Sequence, residues 1–122
     1  MHIRFPATEQ LQNQFRAAYE MIETVGEFVV LRYRLDDGGY DDAMVKGKVS
    51  ELRLVDIVAG STARVGDLRV ILHAKSIPLG ARKMESKDRV NWRGREYAVV
   101  QYDNATASIG GEVFGVSIIV RG

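Results

Sequence analysis

The spacing of apolar residues changes once along this chain, and the change divides it into a helix and a sheet. Leu11, Phe15, Ala18, Tyr19, Ile22 and Val25 recur at intervals of three and four and share one helical face. Thr8, just after Pro6, is placed as an N-cap and Gly26 as a C-cap glycine, so a helix is predicted over 8–25. Its apolar stripe covers the end of its own domain or docks on a neighbour.

Beyond Gly26 the period falls to two. Phe28–Leu35 alternates, with Val29, Leu31, Tyr33 and Leu35 on one face. The stretch DDGGYDD is turn chemistry, because Gly38 and Gly39 tolerate positive φ and aspartates bond nearby amides. A second strand is predicted over 43–54, with Val45, Val49 and Leu52 inward, and a third over 67–75 after a looser segment. Residues 76–87 form a long basic loop. A hairpin follows in DRVNWRGREYAVV, turning at Arg93 and Gly94, and residues 113–121 close the sheet. Val90, Trp92, Tyr97 and Val99 then face the interior as barrel core. The expectation is a mainly β (α+β) protein: a single domain over 1–122, a small barrel or sandwich of about six strands over 27–122 with one N-terminal helix.

Composition narrows the class. Of 122 residues, 46% are hydrophobic and 27% charged, as in a folded soluble domain. There is no cysteine, which excludes disulfides and thiolate metal sites. No apolar run is long enough to span a bilayer, and the N-terminus has no signal-peptide core, so a cytoplasmic setting without membrane contact is expected. The net charge of +1 is unevenly spread. Residues 1–59 hold seven basic and ten acidic side chains, residues 60–102 nine and four. Such polarity suits a part that meets different neighbours on different faces.

Little in the chain predicts catalysis. His2 lies near the terminus and His73 in a strand, where the plain reading is a barrel-surface or interface residue. No nucleotide-binding motif occurs, and two histidines fall short of a zinc set. Asp36, Asp37, Asp41 and Asp42 lack the spacing and distal glutamate of a calcium loop and read as a solvated turn. No cofactor or metal is expected. The basic residues Arg82, Lys83, Lys87, Arg89, Arg93 and Arg95 are candidates for DNA contact or for contact between subunits. Glu9, Glu20 and Glu23 give the helix an acidic outer face of opposite sign. A head-to-tail contact between the two is electrostatically matched and closes into a ring when the rotation allows.

The order of elements, with Asp88, Val90, Trp92, Gly94, Tyr97 and Val99 in the hairpin and Asp103 after it, resembles the neck proteins of tailed bacteriophages and prophages. These are the head-closure (stopper) and head–tail joining group. The resemblance runs from about Phe28 to Arg121 and carries no catalytic residues. It implies a barrel protein that forms a homo-oligomeric ring, a hexamer in the closure group. The ring sits between portal or adaptor and the tail tube or tail terminator. It retains packaged double-stranded DNA by non-specific contact and offers the tail a docking surface. The localisation implied is the virion neck, after assembly in the host cytoplasm. On that analogy residues 76–87 are the channel-facing element, a movable gate. The alternatives are a small nucleic-acid-binding barrel of the OB or SH3-like kind and a neighbouring neck component, tail terminator or adaptor.

Overall fold

A computed structural model describes residues 6–104 and 108–122, without the side chains of Pro6 and Ala7. His2 lies outside the described residues. The chain folds as α1 (Pro6–Val25), β1 (Glu27–Arg34), β2 (Tyr40–Glu51), β3 (Leu68–His73), β4 (Arg89–Trp92), β5 (Arg95–Asp103), β6 (Ser108–Ile109), β7 (Glu112–Val113) and β8 (Gly115–Arg121). Six strands close a barrel in the order β1-β2-β3-β8-β5-β4, every pairing antiparallel. The seam is β4 against β1, where Leu31 lies opposite Val90 and Val29 opposite Trp92. Closure leaves none of these six strands with an open edge. The two-residue strands β6 and β7 pair separately.

Alternation fills the interior. Val29, Leu31 and Tyr33 of β1, Val70 and Leu72 of β3, and Val116, Ile118 and Val120 of β8 interlock with Val90, Val99 and Met84. Leu31, Leu72, Val70, Val90 and Ile118 are fully buried. The hairpin joining β4 to β5 turns through Arg93 and Gly94 at φ of 51° and 74°. Two positive φ values are what a tight hairpin matched to strand twist requires. In β5 the register shifts between Val99 and Gln101, a bulge that leaves Val100 as the extra residue.

Several boundaries differ from those the pattern predicts. The helix begins at Pro6, so Thr8 lies in its first turn rather than at the cap. Proline suits that first position, since its missing N–H would have no helical partner there. β2 spans Tyr40–Glu51, three residues earlier than expected, because the turn closes early through Leu35 N to Gly39 O at 2.8 Å. Leu35 therefore lies in the turn and is exposed, not inward. Leu52 is buried, but just past β2.

The helical stripe is used only in part. Ile22 is buried and Tyr19 half-buried, whereas Leu11, Phe15, Ala18 and Val25 stay exposed. Phe15 still stacks at 6.2 Å on Phe114, and Tyr19 lies over Gly115, where any Cβ would overlap its ring. Gly47 in β2 plays the matching part inside the barrel. A Cβ there would meet Leu72 Cδ2 at 2.7 Å and Val70 Cγ1 at 3.1 Å. Both neighbours are fully buried in the packed core. Gly47→Ala is expected to cost about 2 kcal/mol by overpacking, and Leu72→Ala about 3 kcal/mol by cavity formation. Urea melts of the two variants beside the parent chain measure both.

Candidate functional site

The hairpin that carries the basic residues is held by one buried carboxylate. Asp88 is 0% exposed and stands just before β4. Its Oδ1 accepts from the Arg34 amide at 2.7 Å, and its Oδ2 from the Glu85 amide at 2.7 Å. The Arg82 guanidinium donates to both oxygens, at 2.5 and 2.7 Å. Burial by itself would raise this carboxyl. The Arg82 and backbone hydrogen bonds outweigh burial and hold it below the ordinary carboxylate range. Arg82 also donates to the Arg34 carbonyl at 3.2 Å, so the exit of β1, the 82–88 turn and the start of β4 form one clasp.

The six basic candidates therefore separate. Arg82 is bound into the clasp, and Arg89 donates at 2.8 Å to the carbonyls of Ser86 and Asp88. Both are structural before they are anything else. Arg93 pairs with Glu27 at 2.8 Å, and Lys87 lies 3.8 Å from Glu85. Arg95 and Lys83 have no carboxylate partner among the described residues. The 76–87 loop is also less free than a gate would be. Met84 inserts into the core at 4% exposure and Arg82 anchors it, leaving Leu79 and Gly80 at an exposed apex.

Trp92 and Tyr97 pack on the core cluster but are half-buried, not enclosed like Val90 and Val99. Their rings are 6.2 Å apart and tilted by 50°. The Arg93 guanidinium stands 4.5 Å from the centre of the Trp92 ring, and that of Arg95 5.4 Å from Tyr97. Beside them opens a cleft of about 490 Å³ lined by Arg64, Arg95, Arg121 and Glu51. Arg121 is already paired, at 2.8 Å, with the buried Asp67, which hydrogen-bonding to Arg121 holds below its usual range. Trp92 Nε1 is buried without a hydrogen-bond partner among the described residues. The cleft can receive an anion, but its aromatic faces are already covered by the chain's own guanidinium groups.

By their spacing Glu9, Glu20 and Glu23 fall on one side of the helix, and Glu23 comes within 3.7 Å of His73. His73 is buried beneath the helix rather than at a barrel surface, because β3 ends where α1 crosses it. Its Nδ1 accepts from the Lys75 amide at 3.0 Å, which makes the ring a cap for the short 3-10 turn at Ala74–Ser76. Among the described residues no group of three or more histidines and carboxylates is placed to hold a metal ion. Asp37 accepts from the Gly39 amide and Asp42 pairs with Arg32, so part of the acidic turn is engaged locally. No helix among the described residues is long and apolar enough to cross a membrane.

Two features escaped the pattern. The Asp67–Arg121 clamp joins residues 54 positions apart, and nothing in local spacing announces it. Exposed apolar side chains gather in the segment after β2, at Leu54, Val55, Val58 and Val65. Their lack of any period was a legible sign that they do not pack inward. In comparison with known proteins, the chain matches no family model, and no curated protein or solved structure matches it significantly.

The clasp and the aromatic pair make separate predictions. A carboxyl depressed in the folded state stabilises above its unfolded range and loses that contribution as pH falls through its folded value. Asp88→Asn should cost about 3 kcal/mol at neutral pH by breaking a buried pair. It should also flatten the loss of stability below about pH 4, read from urea midpoints across an acid series. Trp92→Ala should cost about 2 kcal/mol, less than a fully buried ring would, and a larger loss in the same melts would mean the ring is enclosed.

Proposed function

We propose that this chain is a structural subunit of a tailed-phage neck. In this reading copies form a ring, a hexamer if it follows the closure group, between portal or adaptor and the tail. The ring retains packaged DNA and gives the tail its docking surface. The observation that carries the reading is apolar surface left open on several separate elements. Val25 of α1, Phe28 of β1, Met44 of β2, Val55 and Val58 of the following segment, and Leu79 of the 76–87 loop are all well exposed. Single exposed apolar side chains are ordinary on a folded domain, but neighbours that share a face, as Phe28 and Met44 do on the paired strands β1 and β2, make a surface suited to contact with another protein. The barrel interior is filled by side chains, so in this reading the channel lies between copies arranged around an axis, not within one copy.

Within this proposal the subunit works by assembly, without catalytic residues or cofactor, in the virion neck after assembly in the host cytoplasm. Lys83 and the Leu79–Gly80 apex are then the parts of the 76–87 loop available to the channel. Arg82 and Arg89 act by holding that loop. Contact with DNA is non-specific and electrostatic.

A nucleic-acid-binding barrel is the second reading, favoured by Trp92 and Tyr97 beside the arginine-lined cleft. It requires bases to displace Arg93 and Arg95 from the ring faces they occupy. A tail terminator or adaptor role would use the same surfaces with different neighbours.

Negative-stain microscopy of a lysate lacking the protein separates these readings. Separate tails beside heads that have lost their DNA are expected, and joined, infectious particles would rule out the neck role. DNA binding by the isolated protein should be weak, vanish with moderate salt and survive Trp92→Ala. Binding that resists salt and is lost with Trp92 would favour the nucleic-acid barrel.

A further inference from the structure

The exposed flank of α1 does not end at the helix. Between it and β2 runs a groove of about 380 Å³, lined by Ala18, Met21 and Val25 on one side and Lys48 and Val49 on the other. Phe28 and Met44, both exposed, extend the apolar surface across β1 and β2. Lys46 reaches over the Phe28 ring at 5.1 Å. Neither Lys46 nor Lys48 has a carboxylate partner among the described residues. Glu27, at the groove's end, is taken by Arg93. The groove is thus apolar and cationic, and it lacks an apolar, anionic occupant.

The chain itself presents such a shape. In the β1–β2 turn Leu35 is 44% exposed and is followed by Asp36 and Asp37. The turn is rigid: Leu35 N donates to Gly39 O at 2.8 Å, Gly38 N to Leu35 O at 3.1 Å, and Gly39 N to Asp37 Oδ1 at 2.8 Å. Arg32 pairs with Asp42, leaving Asp36 and Asp37 at the tip. This turn cannot reach its own groove. The two lie near opposite ends of β2, roughly 25 Å apart at about 3.3 Å per strand residue.

We propose that the Leu35–Asp37 turn of one copy docks in the α1–β2 groove of the next, with Leu35 against Met21 and Val25 and the aspartates facing Lys46 and Lys48. Because turn and groove are different surfaces, the contact is head-to-tail and repeats from copy to copy. It rests on the neck reading only for the closed ring that the repetition would form. It differs from the pairing expected from charge alone, because Glu9, Glu20 and Glu23 lie away from this apolar flank.

The chain has no cysteine, so disulfide trapping has no background. The variant carrying both Leu35→Cys and Val25→Cys should give a ladder of dimers, trimers and larger species on mild oxidation. An equal mixture of the two single variants should stop at mixed dimers, and each single variant alone should remain monomeric. Lys46→Glu with Lys48→Glu should reduce the ladder at least tenfold, and adding Asp36→Lys with Asp37→Lys should restore it. All these positions lie on the surface or in the exposed turn, and thermal melts check that each variant is folded. Dimers of the Val25→Cys single variant would show a symmetric helix contact and overturn the proposal. So would a folded double variant that stays monomeric, or a ladder indifferent to the charge reversal. A ladder together with joined particles from the deletion lysate would keep this contact and discard the neck role. Separated heads and tails without a ladder would do the reverse.

Discussion

A barrel of six short strands must close on itself, and here closure depends on a carboxylate with no access to water. Asp88 accepts hydrogen bonds from the last residue of β1, from the turn before β4 and from both sides of the Arg82 guanidinium. The seam between β1 and β4 lies beside it, with Arg32 opposite Arg89. A buried charge is tolerable only when its hydrogen-bonding capacity is met. That condition fixes Arg82, Glu85 and Arg34 relative to one another. The same clasp turns a twelve-residue basic segment from a free loop into a braced one, with Met84 pressed into the core and the Leu79–Gly80 apex exposed.

The second constraint is close approach. Gly47 lets Leu72 and Val70 fill the interior, and Gly115 lets the Tyr19 ring lie against the backbone of β8. Gly115 helps set where the helix rests: against β2 and β3, covering His73, with the Tyr19 ring on the backbone of β8. It rests on one side of its apolar stripe, so the remainder, from Leu11 to Val25, faces outward. The same geometry that seats the helix therefore creates the groove beside it and leaves that groove open.

Function follows from what these constraints leave over. Guanidinium groups that read as a DNA-binding set are divided among a buried aspartate, backbone carbonyls, a surface glutamate and aromatic faces. Apolar side chains on α1, β1, β2 and the segment after β2 remain uncovered. The barrel interior is filled, so the surface open to a partner is its outer one. The proposals of a ring subunit and of a head-to-tail contact between copies both rest on that distribution.

The alternation of Val29, Leu31 and Tyr33 and the Arg93–Gly94 turn were legible because strand periodicity and turn chemistry are local properties. The same holds for the mainly β class with one helix, and for the inward face that includes Val90 and Val99. Which half of the helical stripe is buried was not legible, since a helix shows its apolar face but not the width of the surface that will receive it. Nor could spacing tell Arg82 from Lys83, adjacent cations of which one reaches a buried carboxylate and the other faces solvent. The sequence alone determined the helix, the six barrel strands and the residues able to line a core. Only the tertiary structure decided strand order, the Asp88 and Asp67 clasps and the surface left uncovered, because each depends on groups brought together from distant parts of the chain.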